Sequence, residues 1–292
     1  MRRSMLFLPS NNPNMIGNGA LLGADSLIFD LEDAVSPDEK DAARELLKNA
    51  LGALDFGKCE RTVRINGLDT PYWEEDLRAI LPLTPELIMP PKVSGDADIR
   101  RLDEKLTELE TAMGIETGQT KILALLETAL GVENAFAAAG ASPRMMGLFL
   151  GAEDLTADLR CKRSKEGSEI LYARGRVVCA ARAAGIEAYD TPFTDVQDLE
   201  GLEKDAAFAK GLGFSGKACI SPAHVSAVNR IFSPSEEEIA YARDVFTTVD
   251  RAKRLGKGVI ALRGKMIDAP IVQRARLVLE AASEIEGVNY FA

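Results

Sequence analysis

Charged side chains that suit acid–base and metal chemistry stand directly after short apolar runs of this sequence. Asp30 closes the run SLIFD, and Arg64 lies near the end of RTVRIN. Lys92 follows LIMPP, Glu127 follows ILALL, and Asp154 comes shortly after MMGLFLG. Carboxylates beside cations can bind a metal ion, hold a substrate anion or transfer a proton. These five positions are therefore the first candidate functional residues.

Histidine and cysteine are too sparse to supply this chemistry. The chain has one histidine, His224, and four cysteines that form no C-x-x-C pair: Cys59, Cys161, Cys179 and Cys219. A zinc site normally draws on clustered histidine or cysteine, and this spacing is instead typical of reduced thiols. A Ser-His-Asp triad would need His224, which follows Ser221 and Pro222 at a predicted helix start. Acid–base work must therefore fall to carboxylates or lysines.

Glu127 and Asp154 are the predicted metal ligands. Mg²⁺ typically takes one or two protein carboxylates and completes its octahedron with water and substrate oxygens. Each acid also has a structural alternative, because either could cap the helix that follows it. Their position after neighbouring strands, with the small Gly151 and Ala152 allowing close backbone approach, favours the metal site. The backbone N–H groups of residues 151–154 could also receive a substrate carboxylate.

Arg64 has two interpretations. An arginine on a strand is costly to bury without an anionic partner, so it could form an ion pair with Glu32 or Asp33. It could equally clamp a substrate carboxylate or a developing oxyanion. We expect part of the acidic patch around Glu32 and Asp33 to order Arg64, Lys92 or metal-bound water rather than to react directly.

The apolar runs are predicted to be eight β-strands, each followed by a helix-like stretch. They are Ser4–Pro9, Ser26–Asp30, Arg61–Asn66, Leu87–Pro91, Ile122–Glu127, Met145–Gly151, Glu187–Asp190 and Lys217–Pro222. Helices are predicted after a capped start at Ser36 and over Asp96–Met113 and Ser168–Ala184. Eight alternating strands and helices predict an α/β fold, a (β/α)8 TIM barrel, whose active site lies at the C-terminal ends of the strands.

The alternation fades after the last predicted strand. We predict a TIM-barrel catalytic domain over residues 1–232 and a C-terminal helical cap over residues 233–292. The cap would contain helices over Ser235–Leu255 and Pro270–Glu286, joined by Gly256–Asp268. Asp268 precedes Ala-Pro-Ile, which is an N-cap signature.

Two glycine-rich motifs predict no nucleotide site. Gly211–Gly216 matches G-x-G-x-x-G, but the order here is helix, glycines, strand, which is the reverse of the dinucleotide fingerprint. Gly258–Lys265 resembles a P-loop, but its spacing is too long and Met266 replaces the Mg²⁺-binding hydroxyl residue. A helix-to-strand turn is the better interpretation of the first motif.

Composition narrows the class of protein further. The 292 residues are 46% hydrophobic, and the net charge of −10 argues against nucleic acid as a partner. No stretch approaches the ~20 apolar residues of a membrane span, and the N-terminal apolar run is too short for a signal peptide. We therefore expect a cytoplasmic protein. A basic run is the exception to the acidic composition and could contact CoA phosphates or an acidic carrier protein, or simply be solvated: Arg160, Lys162, Arg163 and Lys165.

The sequence resembles the citrate lyase β-subunit family, within the wider group of malyl-CoA and citramalyl-CoA lyases. The resemblance runs nearly end to end and is carried by RRSMLFLP, GADSLIFDLEDAVSPDEKDAAR, VRIN, MPPK, LLETALG, LFLGAEDLTADL, GFSGKACISP and GKMIDAP. It implies a TIM barrel with a C-terminal helical cap, in trimers or multiples of trimers. It also implies cleavage of a citryl thioester to oxaloacetate and an acetyl thioester.

The resemblance assigns roles to individual residues. Glu127 and Asp154 would hold Mg²⁺, with Mn²⁺ as an alternative, and Arg64 with Glu127 would contact the keto-acid part of the substrate. Asp268 would be an acid–base residue presented by the cap of a neighbouring subunit. This implication goes beyond the N-cap interpretation of Asp268, although one carboxylate can serve both purposes.

The sequence also departs from the family pattern and leaves alternatives open. Many relatives carry His-Pro at the end of strand 8, where Ser221 and Pro222 stand here, and many have glycine in place of Ser10. A stand-alone malyl- or citramalyl-CoA lyase is one alternative, and the carrier could be CoA or an acyl-carrier protein. A metal-dependent pyruvate aldolase is disfavoured because its acid–base chemistry uses histidine. Another alternative is a non-catalytic subunit of a complex with α (transferase) and γ (acyl-carrier) subunits.

Overall fold

The structure is a computed structural model that describes residues 1–254 and 261–291. It divides into two compact units, one of residues 2–229 and one formed by Met1 with the segment from Arg230 onward. The assignment of catalytic and cap roles to residues 1–232 and 233–292 stays a prediction. Leu255 and the parts of Gly256–Asp268 and Gly258–Lys265 before Ala261 lie outside the described residues.

Eight parallel strands close into a barrel in the larger unit. They are β1 (Ser4–Pro9), β2 (Ser26–Asp30), β3 (Glu60–Arg64), β4 (Leu87–Met89), β5 (Lys121–Leu126), β6 (Met145–Leu150), β7 (Glu187–Asp190) and β8 (Gly216–Cys219). Each strand pairs with the next, and β8 returns to β1 with Ser4 opposite Lys217. The predicted (β/α)8 barrel is therefore confirmed.

Helices cover the outside of this barrel. The larger unit contains α1 (Pro13–Asn18), α2 (Lys40–Ala53), α3 (Trp73–Ile80), α4 (Asp96–Met113), α5 (Ala129–Glu133), α6 (Ala135–Ala139), α7 (Ala152–Asp158), α8 (Leu171–Ala183), α9 (Leu199–Leu212) and the start of α10 (Pro222–Phe232). The prediction of α4 is confirmed to the residue. The prediction of one helix after each strand is wrong for β5 and β6, because two helices follow each of these strands. Ser36 makes no side-chain cap bond, and its helix opens with a 3₁₀ turn.

The barrel interior is filled by residues that alternate along the strands. Strands of a parallel barrel are buried on both faces, which explains their nearly continuous apolar sequences. The central cluster consists of Met5, Ile28, Leu87, Met89, Leu123, Leu125, Phe149, Tyr189 and Ala218. Because side chains alternate with a period of two, the intervening residues pack against the helices.

Five predicted strands extend too far at their C-terminal ends. Asn66, Pro91, Glu127, Gly151 and Pro222 all lie past the last residue of their strands. Proline has no N–H to continue the β-ladder, and at the other positions the chain turns into a loop. The correction matters because Glu127 stands in the loop after β5, where its carboxylate can face the mouth of the barrel.

The C-terminal unit has its own small core. It contains α11 (Glu236–Arg254), β9 (Ala261–Leu262), β10 (Lys265–Met266) and α12 (Ala269–Glu286). Its buried residues are Ala242, Val245, Ile267, Ala275 and Leu279. The sequence did not predict the β9–β10 hairpin, because two-residue strands carry no periodicity. Arg263 and Gly264 form its turn with φ values of 51° and 78°, and positive φ at both turn residues is typical of tight hairpins.

A buried network of four charged side chains joins β7 and β8 to two helices. Arg174 of α8 donates to both oxygens of Asp190, at 2.9 Å each, and to Asp205 of α9 at 2.7 Å. The Lys217 ammonium lies 2.6 Å from both Asp190 and Asp205. Two cations therefore balance two anions. Lys217 also donates to the carbonyl oxygen of Thr191 at 2.7 Å, which ties the network to the loop after β7.

We expect Lys217→Met to destabilise the protein by about 3–5 kcal/mol, because it leaves two buried carboxylates with one cation. Chemical denaturation of the purified chain measures this loss. Lys204→Met is the matched control, since Lys204 is exposed and forms an ion pair with the exposed Glu200. A loss for Lys217→Met as small as that of the control would contradict a structural role for the network.

Candidate active site

A cavity of about 450 Å³ opens at the C-terminal ends of the barrel strands. Its charged lining includes Asp30, Arg64, Glu127 and Asp154. Four of the five residues singled out in the sequence therefore line one space, and Lys92 contacts two of them, Glu127 and Asp154. This is the expected place for the active site of a (β/α)8 barrel.

Arg64 is held chiefly by Asp30. Its Nε and Nη2 donate to the two oxygens of Asp30 at 2.8 and 2.6 Å, while Nη1 lies 3.2 Å from Glu32 and 3.8 Å from Asp33. The guanidinium also stacks over Phe7, 5.1 Å from the ring centroid. Burial opposes the charged form, but the adjacent Asp30 carboxylate leaves the pKa of Arg64 raised. Of the three guanidinium nitrogens, Nη1 therefore has the longest contacts with carboxylates.

Glu127 is a buried carboxylate at the base of the cavity. Its Oε1 accepts the backbone N–H of Lys92 at 2.9 Å. Burial raises the pKa of Glu127 to about 8; Arg64 opposes this rise, and the negative charge of Asp154 adds to it. A Cβ atom at Gly151 would come within 2.7 Å of Oε2, so only glycine lets the backbone approach this carboxylate. The predicted importance of a small residue here thus has a steric reason.

The Lys92 ammonium lies close to three carboxylates at the C-terminal end of the barrel. It lies 2.6 Å from Glu32, 3.4 Å from Asp154 and 3.9 Å from Asp33. Burial acts to lower the pKa of Lys92, but the hydrogen bond and charge of Glu32 outweigh it and raise the pKa. The sequence predicted Glu32, Asp33 and Lys92 to be ordering residues. The structure brings them together, and their role stays a prediction.

The structural alternatives for the two acids do not match the helix ends. Thr128, not Glu127, caps α5, because its side chain accepts the N–H of Gly131 at 3.1 Å. Helix α7 begins at Ala152, so Asp154 lies within its first turn rather than at its N-cap. Both carboxylates are therefore available to the cavity.

The donor set fits a Mg²⁺ ion. Among the described residues there is no group of three or more histidine, cysteine, aspartate or glutamate side chains placed to hold a metal. Mg²⁺ needs only one or two carboxylates, since water and substrate oxygens complete its shell. Glu127 and Asp154 supply two; burial chiefly raises the pKa of Glu127, and the negative charge of Asp154 adds to the rise. A divalent cation at this place would offset that negative charge.

Two of the four backbone N–H groups predicted to receive a substrate carboxylate donate within the protein. Gly151 donates to the carbonyl oxygen of Leu126 at 2.9 Å, and Ala152 donates to the Thr191 hydroxyl at 3.1 Å. Both residues line the cavity. The use of the N–H groups of residues 151–154 in substrate binding stays a prediction. Sequence reasoning missed Thr191, whose only signal was its place after Asp190.

Three further residues named in the sequence analysis are His224, Ser221 and Ser10. His224 is fully buried in α10, with Nε2 3.3 Å from the carbonyl oxygen of Val196, which agrees with its exclusion from a catalytic triad. The Ser221 hydroxyl accepts the N–H of Ala223 at 3.3 Å and so supports the start of α10. Ser10 is buried, and its hydroxyl has no hydrogen-bond partner among the described residues.

The basic run after α7 divides into two kinds of residue. Arg163 donates to Glu169 at 2.7 Å, and Lys165 lies 2.6 Å from Asp195. Arg160 and Lys162 are exposed. A contact with CoA phosphates or with a carrier protein stays a prediction, and the exposed pair are its better candidates.

Asp268 belongs to the C-terminal unit, and its cap geometry is confirmed. Its side chain accepts the N–H of Ile271 at 3.1 Å at the start of α12. The residue is exposed, so the carboxylate is accessible to another molecule. Its acid–base role stays a prediction.

Comparison with known proteins identifies the family. Residues 3–222 match the HpcH/HpaI aldolase/citrate lyase family. The chain is 44% identical to the citrate lyase subunit beta of Leuconostoc mesenteroides subsp. cremoris, over 97% of this chain and 94% of that protein. It is 33% identical to the L-malyl-CoA/beta-methylmalyl-CoA lyase of Cereibacter sphaeroides, over 97% and 95%.

Solved structures agree with this comparison. The crystal structure of CitE from Mycobacterium tuberculosis, in complex with magnesium, acetoacetate and coenzyme A, has a TM-score of 0.78 and 32% identity, over 97% of this chain and 98% of that one. The family match and the citrate lyase relatives identify a lyase that acts on carbon–carbon bonds, in agreement with the barrel. The chain belongs to the HpcH/HpaI aldolase/citrate lyase family. No helix in the described parts of the chain is long and apolar enough to cross a membrane.

We expect Glu127→Gln to stabilise the metal-free protein at high pH. Because the folded-state pKa of Glu127 is about 8, the folded chain binds a proton between about pH 4.5 and 8 that the unfolded chain has lost. Stability must therefore fall as pH rises through this window, by up to about 1.4 kcal/mol per pH unit, and glutamine removes that fall. Denaturation in EDTA at pH 5 and pH 9 measures it.

The variant and the wild type should be similar at pH 5 and differ most at pH 9. Glu45→Gln is the control, since Glu45 is exposed and should give the wild-type profile. Parallel profiles for Glu127→Gln and wild type would contradict the raised pKa.

Proposed function

We propose that the chain is the β subunit of a citrate lyase, a Mg²⁺-dependent lyase that cleaves a citryl thioester to oxaloacetate and an acetyl thioester. The observation that carries the proposal is the pair of carboxylates, Glu127 and Asp154, beside the buried Arg64 in one cavity. Relatives named citrate lyase subunit beta at 40–44% identity support the citryl substrate.

The described residues would prepare the substrate for cleavage. Arg64 is fixed by Asp30 and can use Nη1 to donate to a substrate carboxylate or to an oxygen that gains negative charge. The backbone N–H of Lys92 donates to Glu127, and this hydrogen bond would orient the carboxylate. Mg²⁺ held by Glu127 and Asp154 would act as a Lewis acid for the hydroxyl and carboxylate oxygens of the citryl unit.

A proton must reach the carbon that leaves. Cleavage breaks the bond between the alcohol carbon and the methylene carbon. The hydroxyl proton passes to water, the alcohol becomes the keto group of oxaloacetate, and the electron pair of the broken bond stays on the acetyl thioester; the acid that protonates this carbon regains its own proton from water. We assign delivery of a proton to this enolate carbon to Asp268, presented by a neighbouring subunit of a trimer. The exposed side chain of Asp268 supports this assignment.

The citryl substrate has one specific competitor. The 33% identical L-malyl-CoA/beta-methylmalyl-CoA lyase keeps malyl-CoA as a second candidate. Because relatives are named subunits, we propose that α (transferase) and γ (acyl-carrier) subunits are the partners. Arg160 and Lys162 are the proposed contacts for CoA phosphates or for the acidic face of the carrier.

The first experiment measures oxaloacetate release from citryl-CoA by the purified chain. We expect release with Mg²⁺, none with EDTA, and a fall of roughly 10²-fold or more for Glu127→Gln and Asp154→Asn, since each removes a charge that holds the metal. Glu45→Gln, far from any proposed role, is the control. If malyl-CoA were turned over faster than citryl-CoA, the chain would be assigned as a malyl-CoA lyase. Oxaloacetate release that does not depend on Mg²⁺ would contradict the proposal.

Asp268→Asn separates the acid–base role from the structural one. Asparagine caps helices as well as aspartate does, so α12 and the melting temperature should be unchanged. We expect kcat for citryl-CoA to fall by roughly 10²-fold or more, because the amide cannot transfer the proton. Binding of Mg²⁺ should be unaffected. Full turnover by this variant would remove Asp268 from the mechanism.

A further inference from the structure

Lys92 contacts both proposed metal ligands. Its backbone N–H donates to Glu127 at 2.9 Å, and its ammonium lies 3.4 Å from Asp154. The same ammonium donates to Glu32 at 2.6 Å. The main chain of Lys92 therefore contacts one proposed ligand, and its side chain contacts the other.

The distribution of charge makes this ammonium the main counter-ion of the metal pair. Arg64 directs its two shortest contacts to Asp30. Of the positive groups described at the mouth, the Lys92 ammonium is the one placed within 4 Å of Asp154. A divalent cation and this ammonium would compete for the same negative charge, since like charges a few ångströms apart repel.

The ammonium is also able to leave. The Lys92 side chain is 43% exposed, so it can rotate toward solvent without disturbing buried side chains. The hydrogen bond to Glu127 comes from the backbone and does not depend on where the side chain points. Removal of the ammonium from Asp154 therefore leaves the orientation of Glu127 intact.

We propose that Lys92 is a tethered counter-ion of the metal site, which neutralises Asp154 and Glu32 in the metal-free chain and is displaced when a divalent cation binds. Lys92 thereby sets the affinity of the site for Mg²⁺. The proposal rests on the metal site of the proposed function and adds a residue that opposes loading. Because the ammonium competes with the metal ion, the chain binds Mg²⁺ more weakly than the two carboxylates alone would. A substrate that brings its own carboxylate then strengthens the binding of Mg²⁺.

The test is the affinity for Mg²⁺ without substrate, measured by isothermal titration calorimetry at about pH 9, where Glu127 is ionised. Lys92→Met keeps the unbranched stem and the backbone N–H but removes the charge. We expect it to bind Mg²⁺ roughly tenfold more tightly than wild type. Its melting temperature in EDTA should fall, because the carboxylates then repel, and Mg²⁺ should raise it by more than in wild type.

Two further variants define the outcomes. Lys92→Arg restores the positive charge and should bring the Mg²⁺ affinity back toward wild type, whereas Lys48→Met, at an exposed site paired with Glu45, should leave it unchanged. Equal or weaker Mg²⁺ binding by Lys92→Met, with measurable binding by wild type, would overturn the proposal. Absence of Mg²⁺ binding by wild type would overturn the metal assignment itself, and this proposal with it.

Discussion

Repulsion among carboxylates is the constraint on which the mouth of this barrel depends. Two cations hold the acids in place, with Arg64 gripping Asp30 and Lys92 reaching Glu32 and Asp154. Asp30 also accepts the backbone N–H of Glu32 at 2.8 Å, so the loop after β2 is built around the same charge. Five acids, Asp30, Glu32, Asp33, Glu127 and Asp154, share these two cations. Burial is the main cause of the raised pKa of Glu127, and the charge of Asp154 adds to it.

A second charged network shows how different a purely structural arrangement is. Arg174 and Lys217 face Asp190 and Asp205, all are buried, and the charges balance two against two. This buried, charge-balanced network ties the end of β7 to the start of β8. Through Thr191 it also determines where the backbone at the start of α7 lies, because that hydroxyl accepts an N–H there. The mouth of the barrel, by contrast, is left with uncompensated negative charge that suits a cation.

The division of labour between the two units follows from their chemistry. The cavity of the larger unit is lined by the carboxylates that are the proposed metal ligands, and the proposed proton donor, Asp268, lies in the other unit. That aspartate already serves as an N-cap, which fixes its backbone and leaves one carboxylate oxygen beyond the bond to Ile271. A capping residue is a rigid mount for a catalytic group, so the structural and the catalytic interpretations of this position support each other.

The sequence by itself determined the barrel, α4 and the place of the candidate site, because apolar runs repeat eight times and charged residues stand at the C-terminal ends of several of them. It also singled out Glu127 and Asp154 through their residue types. It could not determine that Asp30 is the main partner of Arg64, or that the Gly151 and Ala152 N–H groups are already satisfied. Those facts depend on which loops meet across the barrel. Only the closed tertiary structure brings residues some 30 to 60 positions apart, such as Glu32 and Lys92, within hydrogen-bond distance, and only there do their charges act on one another.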